Sequence, residues 1–344
     1  MNTIQKTRGG RIGYIDAMRG MTMILVVFGH VASISISLDD NLSQFFLTFR
    51  MPLFFFISGF IGYKAVEKFN FSFYLDRMKL KSFVQIVPVS IFIMVNCILC
   101  NENLEHLYNT AWGGWWFTLC LFEMFTIYYL IALVCNRFNT EQFFFPSLFV
   151  IAVCGVLHLS LGTRGGVLYS PLIIESLTKY FQFFVLGLFV RKHFKLITIK
   201  LLDNDSIVTF LMVSFFAFFM LLQYEDLPIV IYKIIHDVVI RYLGLACVFV
   251  FFFTSKEYFE GDAFYSKTLK FIGRRTLDIY LLHNFFLPRL PMLRDFFDCP
   301  NQVLLEFFTY LLISLIIIAG CLSVSWVIRR SNTLAYWCFG SKQR

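Results

Sequence analysis

Residues 15–37, IDAMRGMTMILVVFGHVASISIS, form an apolar run of membrane-spanning length that nonetheless carries Asp16, Arg19 and His30. A bilayer's hydrocarbon core takes ~20 helical residues to cross, and runs near that length recur along the chain. Ten can be laid down: 15–37, 43–63, 82–100, 112–135, 143–161, 171–190, 206–223, 229–254, 276–290 and 303–328. The third and fifth are close to the lower limit, and the ninth is short and closed by Pro288 and Pro291. Composition agrees. Of 344 residues 58% are hydrophobic and only 15% charged, 45 are Phe, and the mean hydropathy is +0.70. A soluble domain carries about 25% charged residues, so no polar shell is available to enclose this much apolar material. In lipid, only helices and closed barrels satisfy the backbone internally. The continuous runs lack the alternation of barrel strands. The fold class read from the sequence is therefore all-α: a polytopic membrane helix bundle of about ten transmembrane helices. It fills 1–344 as a single membrane domain, with a short basic N-terminal tail (1–11) and a basic C-terminal tail (329–344).

The charges set the orientation. Basic residues cluster at the N-terminal tail, 64–81, Arg137, 191–200, 256–275 and the C-terminal tail, placing 22 of the 30 on one side. The alternate connections, around 39–40, 102–105 and 225–226, are acidic. The positive-inside bias puts both termini in the cytoplasm. It also accounts for the net charge of +8 without nucleic acid as a partner. Nine Cys occur, and Cys97, Cys120, Cys154, Cys247 and Cys321 lie in apolar runs. These read as buried thiols, with no disulfide framework and no metal site. No small-residue cleavage site follows the first run, which reads as a retained helix. Walker A, GxSxG, HExxH and dinucleotide-binding patterns are absent from the sequence.

Ionisable groups inside the hydrocarbon are costly and mark candidate sites. Arg19 and His30, 11 residues apart, are separated by about three full turns and ~16 Å of helix, so they share a face. Asp16 lies one turn before Arg19, at pairing distance for an i,i+3 step. Gly29 lets a partner approach His30 closely. In FRMPLFFFISGF (49–60), Arg50 either snorkels outward or faces a ligand. In the segment that starts at WGGWW, Trp116 and Glu123 are seven residues apart and face one way. Glu123 is either a buried acid that orients a His or a structural acid. Asp237 and Arg241, at i,i+4, read as an ion pair. Arg274 and Arg275, ahead of Asp278 and the IYLLH that ends at His283, read as a topology signal or a phosphate site at a helix start. Lys79 and Lys81 share that ambiguity.

Together these residues resemble the acyltransferase 3 family of integral membrane O-acyltransferases, which includes fucose 4-O-acetylase-like proteins. YIDAMRGMTMILVVFGH is similar to the family's opening helix, whose Arg–ten residues–His signature falls on Arg19 and His30, with Asp16 in register. FRMPLFFFISGF resembles a segment that in many relatives reads FHMPLFFFISGF, with Arg50 here in place of His. Trp116-Phe117 followed by Glu123 is similar to a WF-containing family helix, and TLDIYLLH to the closing element around Tyr280 and His283. The resemblance implies transfer of an acyl group, usually acetyl from acetyl-CoA, to a hydroxyl of a cell-envelope or surface glycan or a glycolipid. No cofactor is permanently bound; acyl-CoA is the donor substrate and a glycan or lipid-linked saccharide the acceptor. It implies a multi-pass protein of the inner (cytoplasmic) membrane. His30 would be general base or acyl carrier, in a catalytic set with Arg19, Asp16 and Glu123. Arg50, Trp116, Lys79, Lys81, Arg274, Arg275, Tyr280 and His283 would bind substrate or donor. A transporter or exporter of a glycan or small organic acid is the rival class. Transporters often carry paired repeats, and none is visible in this sequence.

Overall fold

The computed structural model describes residues 12–36, 41–65, 68–100, 114–138, 143–161, 174–199, 205–221, 235–297 and 303–341. Among these residues the chain is helical, with no strand. The helices are α1 (Gly13–His30), α2 (Asn41–Gly62), α3 (Phe71–Lys81), α4 (Val87–Cys100), α5 (Trp116–Arg137), α6 (Phe144–Leu161), α7 (Ile174–Lys192) and the single turn α8 (Phe194–Ile197). There follow α9 (Asp205–Leu221), α10 (Ile240–Thr254), α11 (Lys256–Glu260), α12 (Phe264–Arg274), α13 (Thr276–Phe286), α14 (Pro291–Phe297), α15 (Val303–Ile328) and α16 (Asn332–Phe339). α1 runs on through a wider, π-type stretch at Val31–Ile36, and a similar stretch at Ser82–Ile86 joins α3 to α4.

The described residues of each of the ten apolar segments lie mainly in helix. Five helical stretches are long and apolar enough to cross a membrane: Gly13–Ile36, Phe45–Gly62, Phe71–Leu99, Trp116–Arg137 and Val303–Ile328. Phe144–Val153, Asp205–Leu221 and Ile240–Thr254 are apolar but shorter. α7 has the length but carries Glu175, Lys179, Arg191 and Lys192 at its ends. The ninth segment departs most from the expected span. α13 has 11 residues, a length of ~16 Å, about half a hydrocarbon core. Its chain continues without helix through Leu287–Leu290, where the Leu290 amide donates to the Ser35 carbonyl at 2.8 Å.

The chain forms two compact units, Met1–Ile57 with His193–Ser323 and Ser58–Lys192 with Val324–Arg344. In the first unit, α1 and α12 touch backbone to backbone. A methyl group at Gly20 would overlap the Leu269 carbonyl, and one at Gly273 would overlap the Asp16 carbonyl. Lipid supplies no hydrophobic drive between helices, so close approach at small residues and dense packing carry association. Phenylalanine supplies the packing elsewhere. Phe28 of α1 meets Phe46 of α2 at 5.3 Å and Tyr310 of α15 at 5.4 Å, both edge-on. Phe49 packs with Phe215, Ile235 and Ile240 in a buried cluster. Edge-to-face pairs of this kind suit the aromatic quadrupole.

In the second unit, the Tyr128 hydroxyl of α5 donates to the Lys64 carbonyl at 2.8 Å and accepts from the Lys64 amide at 3.1 Å. Asn136 donates to the Phe69 carbonyl at 2.8 Å, and Asn70 caps α3 by accepting from the Phe73 amide. The bonds of Tyr128 and Asn136 tie Lys64 and Phe69 to α5. Gly340, at φ +58°, ends α16 in the left-handed conformation that glycine adopts without penalty.

Candidate active site

Two groups of ionisable side chains in the first unit lie against α1. At the start of the helix, the Gly20–Gly273 contact brings the end of α12 against Asp16. The Asp16 carboxylate accepts from Nε of Arg274 at 3.1 Å. The i,i+3 spacing had pointed to Arg19 as its partner. Arg19 instead reaches the first residue of α13, donating from Nη2 to the Thr276 hydroxyl at 2.8 Å. Arg275, at the α12–α13 junction, lies 3.6 Å from the buried carboxylate of Asp278. Thr276 carried no signal of its own in the sequence; only its place after the Arg pair could have singled it out.

Eleven residues further along, His30 meets the same helix. Its ring centre is 5.1 Å from that of His283, with the ring planes tilted by 33°. His30 is half-buried although Phe28 and Val31 beside it are enclosed. His283 is completely buried. Its Nδ1 lies 2.8 Å from the Tyr280 carbonyl and 3.2 Å from that of Ile279. A carbonyl only accepts, so Nδ1 carries the proton and Nε2 keeps its lone pair. Nε2 is buried with no hydrogen-bond partner among the described residues. The Tyr280 ring centre is 6.0 Å from that of His283.

The third side chain here is Arg50. It folds back from α2 onto α1 rather than outward. Its guanidinium presses on Gly29 at the place where any side chain would stand, and Nη1 lies 3.4 Å from the Leu25 carbonyl. Among the described residues, the charged or titratable groups acting on His30 are His283 and Arg50. α1 widens immediately after His30, and π-type turns recur at functional sites.

The structure thus brings together His30, Arg50, Tyr280 and His283 at one place, and Asp16, Arg19 and Arg274 with Thr276 at another. Lys79, Lys81, Trp116 and Glu123 belong to the second unit. There Trp116 stacks on Tyr180 at 6.0 Å, and Oε2 of the half-buried Glu123 has no partner among the described residues. Lys81 sits 3.3 Å above the Phe125 ring, and Lys79 is exposed. Burial first, then repulsion from Arg77, Lys68 and Arg191, pushes Lys64 below its ordinary pKa, which marks a concentration of positive charge near the start of α3. The side chain of Asp237 lies outside the described residues, so its pairing with Arg241 does too. Among the described residues no group of His, Cys, Asp and Glu is arranged to hold a metal ion.

No curated protein and no solved structure matches the chain. A family model described as an acyltransferase domain, that of acyltransferase 3, matches residues 12–330. The match includes both groups on α1, the α12–α13 junction and Arg50, and the chain belongs to the acyltransferase 3 family of membrane acyltransferases.

Proposed function

We propose that this membrane acyltransferase takes its acyl group, acetyl in the first instance, from cytoplasmic acyl-CoA and passes it to a hydroxyl of a cell-envelope or surface glycan or glycolipid. One observation carries the reading: His30 is the half-buried member of a site that also holds a guanidinium and a second imidazole. A neutral imidazole suits deprotonation of a sugar hydroxyl. As the hydroxyl oxygen attacks the thioester carbonyl, its proton goes to His30 and a tetrahedral oxyanion forms. Arg50 is the cation placed to stabilise that oxyanion. Collapse breaks the C–S bond, and the proton passes from His30 to the departing CoA sulfur. A two-step route, in which His30 first carries the acyl group, uses the same neighbours. The polyanionic end of CoA fits the basic start of α1, where Arg19, Arg274 and Arg275 gather.

The test is transfer of radiolabelled acetyl from acetyl-CoA to a glycan fraction of the cell envelope by purified protein. Labelled acceptor is expected with the wild type and none with His30→Ala. Glycan moved across vesicle membranes without acylation would favour the transporter reading.

The topology we propose keeps ten crossings, both termini in the cytoplasm and the inner membrane as the site. The short α13 is compatible with a crossing because the chain from Thr276 to Leu290 accompanies α1 from Arg19 to Ser35, ~24 Å of helix. Reporters fused near residue 68 and after residue 344 are expected to signal cytoplasm, and one near residue 104 the opposite side. Opposite signals from residues 68 and 344 would require an odd number of crossings between them.

A further inference from the structure

We propose that His283 is the positioning residue of the site, holding His30 in its working tautomer through an imidazole–imidazole hydrogen bond. The inference rests on the acyl-transfer reading and adds to it the device by which a lone membrane histidine becomes an effective base.

Three observations combine. The ring centres are 5.1 Å apart; no hydrogen bond joins the rings as they stand, but at that separation a turn of the His30 ring suffices to bring a ring N–H within bonding distance of Nε2. His283 is fully enclosed while His30 is half-buried, so an acceptor substrate meets His30 with His283 behind it. The tautomer of His283 is fixed by its own helix, because Nδ1–H is committed to the Tyr280 carbonyl. That leaves a buried lone pair at Nε2 with no partner among the described residues. A buried acceptor left unpaired costs ~1–3 kcal/mol. An N–H of His30 directed at it would recover that cost and turn the other ring nitrogen of His30, unprotonated, toward the substrate.

The proton accounting is simple. His30 takes the hydroxyl proton on its free nitrogen and returns it to the leaving CoA sulfur. Throughout, its other N–H donates to His283, which gains and loses nothing. A third group that orients the base is a recurrent arrangement in acyl transfer, commonly with a carboxylate in the role. Here an imidazole takes that role.

Two substitutions separate positioning from structure. His283→Asn can keep the bond to the Tyr280 carbonyl but places nothing at the Nε2 position. His283→Gln can place an accepting oxygen near the Nε2 position while giving up the bond to Tyr280. The expected result is a kcat about 10²-fold lower for Asn, with KM for acetyl-CoA unchanged, and partial recovery by Gln. A merely structural His283 gives the opposite order, with Asn near wild type and Gln impaired, and that order overturns the proposal. A measurement on wild-type protein guards against variants that fail to fold. With ¹⁵N,¹³C-histidine in bilayers, ring-to-ring cross-peaks should join two imidazoles, one of them protonated at Nδ1 and accepting at Nε2. Absence of such a pair overturns the proposal as well. If His30→Gln is inactive while folded His283→Asn is fully active, only this inference fails. An active His30→Gln protein removes the acyl-transfer base itself.

Discussion

His30→Ala protein is expected to insert, to bind acyl-CoA and to lose transfer by a factor of about 10² to 10⁴, the usual contribution of one acid–base group. His30→Gln should fare no better, since an amide cannot take a proton near neutral pH. The contrary reading treats His30 as a packing residue bonded to its neighbours. It predicts that Gln preserves the bond and most activity, while Ala lowers yield and thermal stability. The environment argues for the first. His30 stands against a second imidazole, His283, and beside the guanidinium of Arg50, the neighbours an acid–base group would use rather than an apolar packing shell. The measurement is acetyl transfer and acetyl-CoA binding on the same purified samples. A folded, active Gln variant would end the catalytic assignment.

What could be read in advance follows from which interactions are local. The first run could be read as a helix from its length, and Arg19 and His30 as sharing a face from their three-turn spacing. Both do meet α13, because a helix converts spacing into direction without help from the rest of the chain. Gly29 was legible as a place of close approach, but its occupant, Arg50, depends on how α2 packs on α1, which spacing does not encode. Asp16 shows the limit more sharply. Its in-register neighbour Arg19 was the local choice, and a residue far along the chain, Arg274, takes the carboxylate once Gly20 and Gly273 draw α1 and α12 together. The stretch 256–275 read as a basic connection; α11 and α12 lie there, with Ser266, Ile272 and Gly273 buried. The apolar total of 276–290 suggested a span, yet Pro288 and Pro291 leave an 11-residue helix, since proline disfavours helix at the residue before it. The resemblance set His30 and His283 in one site, but no local spacing encodes their contact, which comes only from the packing of α1 and α13.

Gly29→Ala is expected to fold normally and lose about 10²- to 10³-fold in kcat, the range for removing one donor that stabilises an oxyanion. Within a helix, alanine is favoured over glycine by up to ~1 kcal/mol, so α1 itself gains from the change. The added methyl cannot coexist with Arg50 in its present position, since the guanidinium occupies that space. What must yield is the far end of a long, flexible side chain, not backbone. The substitution therefore acts as a remote deletion of Arg50 from the site. A double-mutant cycle tests this directly. If Gly29→Ala works by displacing the guanidinium, then adding Arg50→Ala should cost almost nothing further, because both changes remove the same interaction. Independent losses that multiply in the double variant would mean that Gly29 and Arg50 serve separate purposes. A fully active Gly29→Ala protein would show that the position of Arg50 beside His30 is not required for transfer. Lysine at position 50 should recover little, because a single ammonium lacks the planar fork that can hold an oxyanion by two bonds.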